Sequence, residues 1–296
     1  KPNLELGHIK PVPTYEACDK AHMVSPKVML GTRFITDILL LRFKLIPPAI
    51  LLPGELATKV ALTTICAAVA KAGSRVLLDR NSNELEANFR PALTPGGADG
   101  SEIEIYVYDT LAGGAGFSTQ LAEDPVTLLE TARNILVDCA CESSCYSCLR
   151  SFNNKLEHSK LDRLLGANLL GYLLDGEITE YDLERRDQTT DRLFEDLLRL
   201  NLDIEVFRNK TVLGADLGMS DVLAPIYIRS TITGDEKEFI YGLHSSLTPQ
   251  HVQDNALMDY KENQLAIGIQ LKDEYDVRRN LSKISAGILD AIGVNS

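Results

Sequence analysis

Two periodicities of apolar residues divide the first part of the chain into strands and helices. Residues 29–45 (MLGTRFITDILLLRFKL) alternate apolar or β-branched with polar side chains, which predicts one or two strands. Pro53 is placed to begin a helix, apolar residues recur after it at helical spacing, and Gly73 is typical of a helix end. Residues 76–78 and 102–109 (EIEIYVYD) predict two further strands.

The pattern continues beyond residue 110, with a break near residue 180. Asp124, followed by proline, is typical of a helix start, and this helix is predicted to run to about Val137. An amphipathic helix is predicted from Leu161 and is closed by Gly176. Residues 176–188 are polar and charged and predict a linker. The later predicted elements are a helix at 191–200, strands at 204–207, 226–232 and 239–243, a helix start at 248–249 and a closing helix at 277–292.

These elements predict a mixed α/β (α+β) fold in two parts. Residues 1–175 form the first part and residues 189–296 a smaller α/β domain, which suits a chain of 296 residues. No apolar run reaches the ~18 residues of a membrane span, since the nearest contains Lys59 and Lys71. Because the chain starts without methionine or an apolar signal core, we expect a cytoplasmic piece of a longer protein.

The charge of the chain limits the partners that it can have. The formal net charge is −12 and the isoelectric point is near 4.9, opposite to the usual charge of a nonspecific nucleic-acid binder. Residues 139–165 differ from the rest, because they carry four basic side chains against three acidic ones. Any contact with DNA is therefore expected to be local and to involve this segment.

The candidate chemistry lies in residues 139–154 (CACESSCYSCLRSFNN), which contain four of the chain's six cysteines. In an extended segment residues i and i+2 point the same way, and a two-residue gap between cysteines is typical of zinc sites. Four thiolates at ~2.3 Å from one Zn²⁺ make a closed structural site with no position for water. Such a site would join the helix before the cysteines to the helix after them. The four residues are Cys139, Cys141, Cys145 and Cys148.

Other interpretations of the four cysteines stay open at this point. An iron–sulfur cluster is the second choice after zinc, because four cysteines also hold such clusters. Disulfides are the third, since no secretory signal supports them and such short loops would be strained. Unrelated core thiols are not expected in a segment rich in Ser, Glu and Asn. Of the other two cysteines, Cys66 is predicted to be a core residue and Cys18 to lie in a polar loop without partners.

The residues around the cysteines resemble a known module. The strand VYDT, the turn AGGAG, the cysteine spacing and the stretch LRSFNNKLEHSKLDRLL are similar to the C-terminal zinc-binding domain of MrfA-type DNA helicases. The same module occurs in helicase-associated subunits of DISARM-type phage-defence systems. The resemblance covers about Glu102 to Leu165 and is weaker in TRFITDILLLRF and RVLLDRNSNEL. The family usually has proline at two positions where Ala112 and Tyr146 stand here, a departure that leaves the cysteines intact.

This resemblance implies that the four cysteines bind zinc. It also implies that the domain belongs to an ATP-dependent machine that moves along DNA. The chain contains no nucleotide-binding motif, so we expect no ATPase activity and no catalytic residue in this piece by itself.

Basic and polar residues directly after the cysteines are the candidate contacts with nucleic acid. These candidates are Arg150, Asn154, Lys155 and His158, with Phe152 or Tyr146 available to stack on a base. His158 is equally suited to bracing the cysteine site, and a solvated loop without DNA contact is the alternative for the whole group.

The glycine-rich stretch AGGAG, residues 112–116, lies between a predicted strand and a predicted helix. It lacks the Gly-Lys-Ser/Thr ending of a nucleotide-binding loop, so a tight turn with positive φ is preferred. A contact of its backbone N–H groups with a DNA phosphate is the less favoured hypothesis.

Asp221 and the later Asp235-Glu236-Lys237 imitate the carboxylate–lysine motif of metal-dependent nucleases. That chemistry needs the side chains around one metal ion, whereas residues 233–238 have the composition of a hairpin turn. A nuclease is therefore the least favoured function.

Three functional hypotheses follow. The first is a zinc-stapled accessory region of a bacterial DNA helicase or helicase complex in DNA repair or phage defence. Its partners would be DNA and the helicase lobes or a helicase partner subunit, with no membrane. The second is a scaffold that binds proteins only, which the charge of −12 favours. The third is the nuclease.

Overall fold

A three-stranded antiparallel sheet is the first layer along the chain. The computed structural model describes residues 33–45, 49, 51, 55–78, 84–91, 102–176, 182–200, 204–212, 221–230, 237–248 and 267–293, and from Thr36 onward they belong to one compact unit. Strands β1 (Ile38–Lys44), β2 (Leu85–Pro91) and β3 (Glu102–Asp109) are ordered β1-β3-β2. Alternation along β3 buries Ile105 and Val107 completely, as a strand with one packed face requires.

Helices cover the inner face of this sheet. Helix α1 (Leu56–Leu78) lies at the centre and contacts β2, α3 (Pro125–Val137) and α4 (Arg163–Asp175). The other helical elements here are the short α2 (Phe117–Leu121) and a 3₁₀ helix (Lys155–Lys160). By length and composition α1 could cross a membrane, but 67% of its apolar window is buried inside the protein. A helix in the core of a protein also has an apolar composition, because apolar side chains surround it there.

A four-stranded mixed sheet forms the second layer. The strands β4 (Ile204–Val212), β5 (Val222–Ser230), β6 (Lys237–His244) and β7 (Ile267–Asp273) follow in that order, and only β6 and β7 pair in parallel among the described strands. Helices α5 (Leu183–Arg199), α6 (Glu274–Arg279) and α7 (Leu281–Ala291) accompany this sheet. Apolar side chains of α5, β5, β6 and α7 form one core, and a smaller cluster lies around β5, β6 and β7.

The two layers are in contact through α6. Tyr275 on α6 and Leu247 after β6 belong to the core of the first layer. Arg279 donates a hydrogen bond to the backbone oxygen of Ser159 in the 3₁₀ helix. Helix α6, which directly follows strand β7, therefore lies against the 3₁₀ helix that precedes α4.

The mixed α+β fold class is confirmed, and one predicted strand is wrong. Residues 76–78 are the last turn of α1, which continues past Gly73. A Cβ at Gly73 would lie 2.9 Å from the side chain of Leu121 and 3.0 Å from that of Leu85. Gly73 therefore lets the side chains of Leu121 and Leu85 pack closely against α1, and it does not end the helix.

Several boundaries differ from the predicted ones. Helix α5 begins at Leu183, capped by Asp182, and the predicted closing helix starts earlier, at Glu274, and is interrupted at Asn280. Strands β2 and β7 were not predicted. Residues 29–32, Pro249 and Cys18 lie outside the described residues. The division into domains 1–175 and 189–296 with a linker at 176–188 stays a prediction.

Candidate metal centre

The four cysteines lie in residues 138–162, here called the cysteine segment, between the end of α3 and the start of α4. Its turn is closed by the backbone oxygen of Cys145, which accepts N–H groups from Cys148, Leu149 and Arg150 at 3.3, 3.0 and 2.8 Å. Asp162 caps α4 by accepting the N–H of Leu165 at 3.0 Å. The segment thus lies between two helix ends, as the sequence predicted.

The four sulfur atoms form one compact group. Cys139–Cys145, Cys141–Cys148 and Cys145–Cys148 have Sγ–Sγ distances of 3.6 Å, and the four ligand atoms lie within 4.8 Å of one another. A tetrahedron with Zn–S bonds of ~2.3 Å has edges of about 3.8 Å, so the donor set fits one zinc ion. The disulfide interpretation is wrong, because these cysteines are free and a disulfide brings two sulfurs to ~2.05 Å.

The thiols differ strongly in acidity. Backbone N–H donation from Cys148 is the main cause that lowers the pKa of Cys145 to about 6. Burial is the main cause that raises the pKa of Cys141 to about 12 and also raises that of Cys148. The Cys145 thiolate is therefore formed readily, whereas Cys141 and Cys148 resist ionisation, which a divalent cation would overcome by displacing their protons.

Arg163 fastens the first half of the cysteine segment, a role that the sequence did not predict. Its side chain donates to the backbone oxygen of Cys141, and to that of Leu136 at 3.3 Å, near the end of α3. Its own backbone N–H donates to the oxygen of Ser143 at 2.7 Å. A basic residue at the first position of a helix is unusual, because the helix dipole favours acidic residues there. Arg163 at this position is the feature of the sequence that could have indicated its role.

The predicted nucleic-acid residues divide into two kinds. Asn154 braces the loop, since its Oδ1 accepts the N–H of Ser151 at 2.8 Å and its Nδ2 donates to the oxygen of Leu149 at 2.9 Å. His158 contacts the same Oδ1 and the oxygen of Ser151 through Nε2, both at 3.0 Å. Both neighbours accept hydrogen bonds, so Nε2 carries the proton.

The two basic candidates are placed differently. The Nε atom of Arg150 donates to the hydroxyl of Ser144 at 3.0 Å. Lys155 is exposed, and its Nζ lies 4.5 Å from the centre of the Phe152 ring. Phe152 is 75% exposed and Tyr146 66% exposed. A basic and aromatic surface therefore exists beside the cysteines.

The glycine-rich turn after β3 is built around a carboxylate. Asp109 is fully buried and accepts the N–H groups of Ala115, Phe117 and Ser118 at 2.7, 3.1 and 2.9 Å, and also the Ser118 hydroxyl. The three glycines of the turn have φ between 78° and 95°, which confirms the predicted tight turn. Within AGGAG, Asp109 occupies the N–H of Ala115 and the oxygen of Leu111 accepts that of Gly114 at 3.1 Å, so the contact with a DNA phosphate stays a less favoured hypothesis.

The nuclease motif does not assemble. Lys237 pairs with Ser230 at one end of the β5–β6 pair, whereas Asp221 precedes β5 at its other end. Nine strand residues at ~3.3 Å each separate them by roughly 30 Å, so they cannot share a metal ion. Asp235 and Glu236 lie outside the described residues.

Cys66, which lies outside the cysteine segment, was predicted to be a core residue. This residue is 4% exposed on α1, as predicted for a core thiol. Burial raises the pKa of its thiol, so it stays protonated and unreactive at neutral pH.

Comparisons with known proteins agree with this centre. Residues 67–149 match the family of the MrfA Zn-binding domain, so the match begins earlier than the predicted core of 102–165 and includes the second half of α1. The chain is similar to Druantia protein DruE of Escherichia coli (strain UMEA 4076-1), with 36% identity over 159 residues. These residues are 51% of this chain and 8% of the relative, so the chain spans a small part of that protein.

A solved structure is also similar to part of the chain. The crystal structure of the DUF1998 helicase MrfA bound to DNA covers 40% of this chain, at 18% identity and a TM-score of 0.29. The likeness takes in 14% of that helicase, and its TM-score is too low to support an argument about the fold. The family match, the relative and the four-cysteine group together support an MrfA-type zinc-binding region at residues 67–149.

Proposed function

We propose that Cys139, Cys141, Cys145 and Cys148 hold one structural Zn²⁺. The observation that carries the proposal is the group of four sulfurs within 4.8 Å of one another. Four protein ligands leave no coordination position for water, so the ion supplies folding energy and not Lewis-acid catalysis. The cysteine segment connects the end of α3 to the start of α4, and the ion would hold these helix ends together.

Metal content tests this assignment. Plasma mass spectrometry of anaerobically purified protein is expected to give about one zinc per chain, with no absorption near 400 nm. Cys148→Ser is expected to lose the metal, and Cys66→Ser, the matched control on α1, to keep it. Iron with a brown chromophore, or protein without metal and with reactive thiols, would contradict the assignment.

The zinc-bearing region is proposed to be an accessory part of a DNA helicase or helicase complex in DNA repair or phage defence. The support is the similarity to a helicase zinc-binding domain and to a Druantia protein. The region would organise the helicase lobes or a partner subunit and guide DNA, in the cytoplasm. Since this chain contains no nucleotide-binding motif, ATP hydrolysis would be the work of a larger protein or of a partner subunit.

DNA contact is proposed for the exposed surface beside the cysteines. Lys155 and Arg150 would meet phosphates, and Phe152 or Tyr146 would stack on a base. Asn154 and His158 would keep this loop in shape, because their polar atoms bond within it.

Fluorescence anisotropy with labelled single-stranded DNA tests the contact. Binding is expected to weaken steeply between about 50 and 200 mM salt, and Arg150→Ala with Lys155→Ala is expected to reduce the salt slope by about 1.5. Lys283→Ala, an exposed lysine of α7, is the matched control and should leave the slope unchanged.

A protein scaffold without DNA contact is the second candidate. The net charge of −12 and the exposed Leu156, 85% accessible beside Phe152, favour it. Absence of DNA binding at low salt would support the scaffold over the DNA contact.

A further inference from the structure

The turn from Cys145 to Cys148 aligns two successive peptide groups. The backbone oxygen of Cys145 accepts the N–H of Cys148 at 3.3 Å, and the sulfur of Cys148 accepts the N–H of Cys145 at 3.2 Å. Because a peptide unit is planar and trans, the carbonyl in each of the two units points opposite to its N–H group. Those carbonyls belong to Tyr146 and Ser147.

One side chain from a distant part of the chain meets both carbonyls. The Nζ atom of Lys71 lies 3.0 Å from the oxygen of Tyr146 and 3.2 Å from that of Ser147. Each peptide group therefore has an ammonium at its oxygen end. An ammonium placed in this way polarises both peptide groups, so the N–H groups of Ser147 and Cys148, on the side away from Lys71, become more positive.

The position of Lys71 on α1 makes this arrangement rigid. Ala68 and Ala72 on the same helix are fully buried, and α1 packs against both helices that flank the cysteine segment. Lys71 itself is half-buried at the edge of this core. The ammonium therefore has a fixed place relative to the turn, in contrast to a lysine on a loop.

We propose that Lys71 is a positioning residue of the metal centre, which acts on the turn from Cys145 to Cys148 through the two peptide groups. Lys71 sets the orientation of this turn, and with it the positions of the two sulfur atoms, and puts a positive charge beside them. The inference rests on the proposed function, because it takes the four cysteines as the zinc ligands.

Zinc release into excess chelator tests the inference on the whole chain. Lys71→Met keeps the length of the side chain and removes the charge, so release is expected to accelerate about 10-fold, as for other groups that orient metal ligands. Lys71→Arg keeps the charge and is expected to restore slow release. Lys59→Met, an exposed lysine on the same helix, is the matched control and should match the wild type.

A spectroscopic signature separates this role from simple loosening of the fold. In the Co²⁺-substituted protein, loss of the positive charge beside the turn raises the energy of the sulfur electrons. The thiolate-to-cobalt charge-transfer band of Lys71→Met should therefore move to longer wavelength, while those of Lys71→Arg and Lys59→Met stay in place.

The outcomes distinguish this inference from the proposed function. One zinc per wild-type chain with unchanged release and an unchanged band in Lys71→Met overturns the role of Lys71 alone. Wild-type protein without zinc overturns both proposals. If Lys71→Met does not fold, Lys71→Gln removes the charge and keeps a donor, and wild-type release from it overturns the role.

Discussion

The cysteine segment, residues 138–162, contains neither a strand nor an α-helix although the structure describes all of it, whereas β5 and β6 are regular strands from end to end. Ile226, Ile228, Ile240 and Tyr241 of those strands are fully buried. In the cysteine segment Leu149 and Leu161 are buried in the core of the first layer, but three large apolar side chains are mostly exposed, namely Tyr146, Phe152 and Leu156. Apolar burial therefore orders the second sheet, while two buried leucines anchor the cysteine segment, and sulfur geometry and side-chain bonds to the backbone order the rest of it.

Removal of zinc is the strongest way to break this comparison. Structural zinc contributes apparent binding energies of about 10–16 kcal/mol in small zinc domains at neutral pH. Chelation is expected to abolish amide hydrogen-exchange protection in residues 138–162 and to leave it in β5 and β6. Equal loss of protection in both regions would show that the metal supports the whole fold.

A cavity in the second layer should have the opposite effect. Ile228→Ala removes buried methyl groups from the core of α5, β5 and α7 and is expected to lower the free energy of unfolding by about 2–5 kcal/mol. Zinc content should stay at one per chain. Leu223→Ala on the same strand, where the side chain is 52% exposed, should cost less than about 0.5 kcal/mol in the same urea titration.

Asp109 resembles the cysteine segment in this respect, because polar bonds and not apolar contacts hold its turn. Burial alone would raise the pKa of Asp109, but its hydrogen bonds from Ser118, Ala115 and Phe117 keep that pKa below 3.8. Asp109→Asn removes the charged acceptor and is expected to cost about 3 kcal/mol of unfolding free energy, measured in urea at pH 7.

The sign of the pH dependence follows from the lowered pKa of Asp109. Its stabilisation is fully present above pH 3.8 and is lost as the pH falls through the lower value of the folded state. The wild type should therefore lose stability in this acidic range, and Asp109→Asn should lose less. Glu130→Gln, an exposed carboxylate of α3, should retain the wild-type dependence.

Local sequence signals predicted what depends on local physics. The alternation of 102–109, the capping residue Asp124 and the cysteine spacing gave β3, α3 and the composition of the metal centre. The sequence of β2 contains a strand signal, since apolar Leu85 and Phe89 alternate with polar neighbours. Residues 79–84 before it are all polar, and they contain no pattern that marks where the strand starts.

Contacts across long sequence separations could not be predicted. In the sequence Lys71 only interrupts an apolar run, and its carbonyl partners lie 75 and 76 residues later. The register of β5 and β6 decided the nuclease hypothesis, and no pattern within either strand fixes that register. The residues that complete the site therefore became visible only with the fold.

Substitution of two glycines of α4 tests how closely α1 and α4, which pack beside the cysteine segment, must approach each other. A Cβ at Gly166 would lie 2.6 Å from Cγ2 of Thr64 on α1, whereas a Cβ at Gly171 meets nothing within 4 Å. Thr64 cannot turn away freely, because its hydroxyl accepts the backbone N–H of Asp162 at 3.0 Å.

Gly166→Ala is therefore expected to destabilise the protein by about 1–3 kcal/mol, through forced separation of α1 and α4. Gly171→Ala, the matched change in the same helix, should stabilise it by about 0.5–1 kcal/mol through higher helix propensity. Urea unfolding measures both. Chelator-driven zinc release should accelerate only in Gly166→Ala, since α4 carries Arg163 and α1 carries Lys71, and equal release from the two variants would mean that the cysteine segment holds its metal independently of this helix contact.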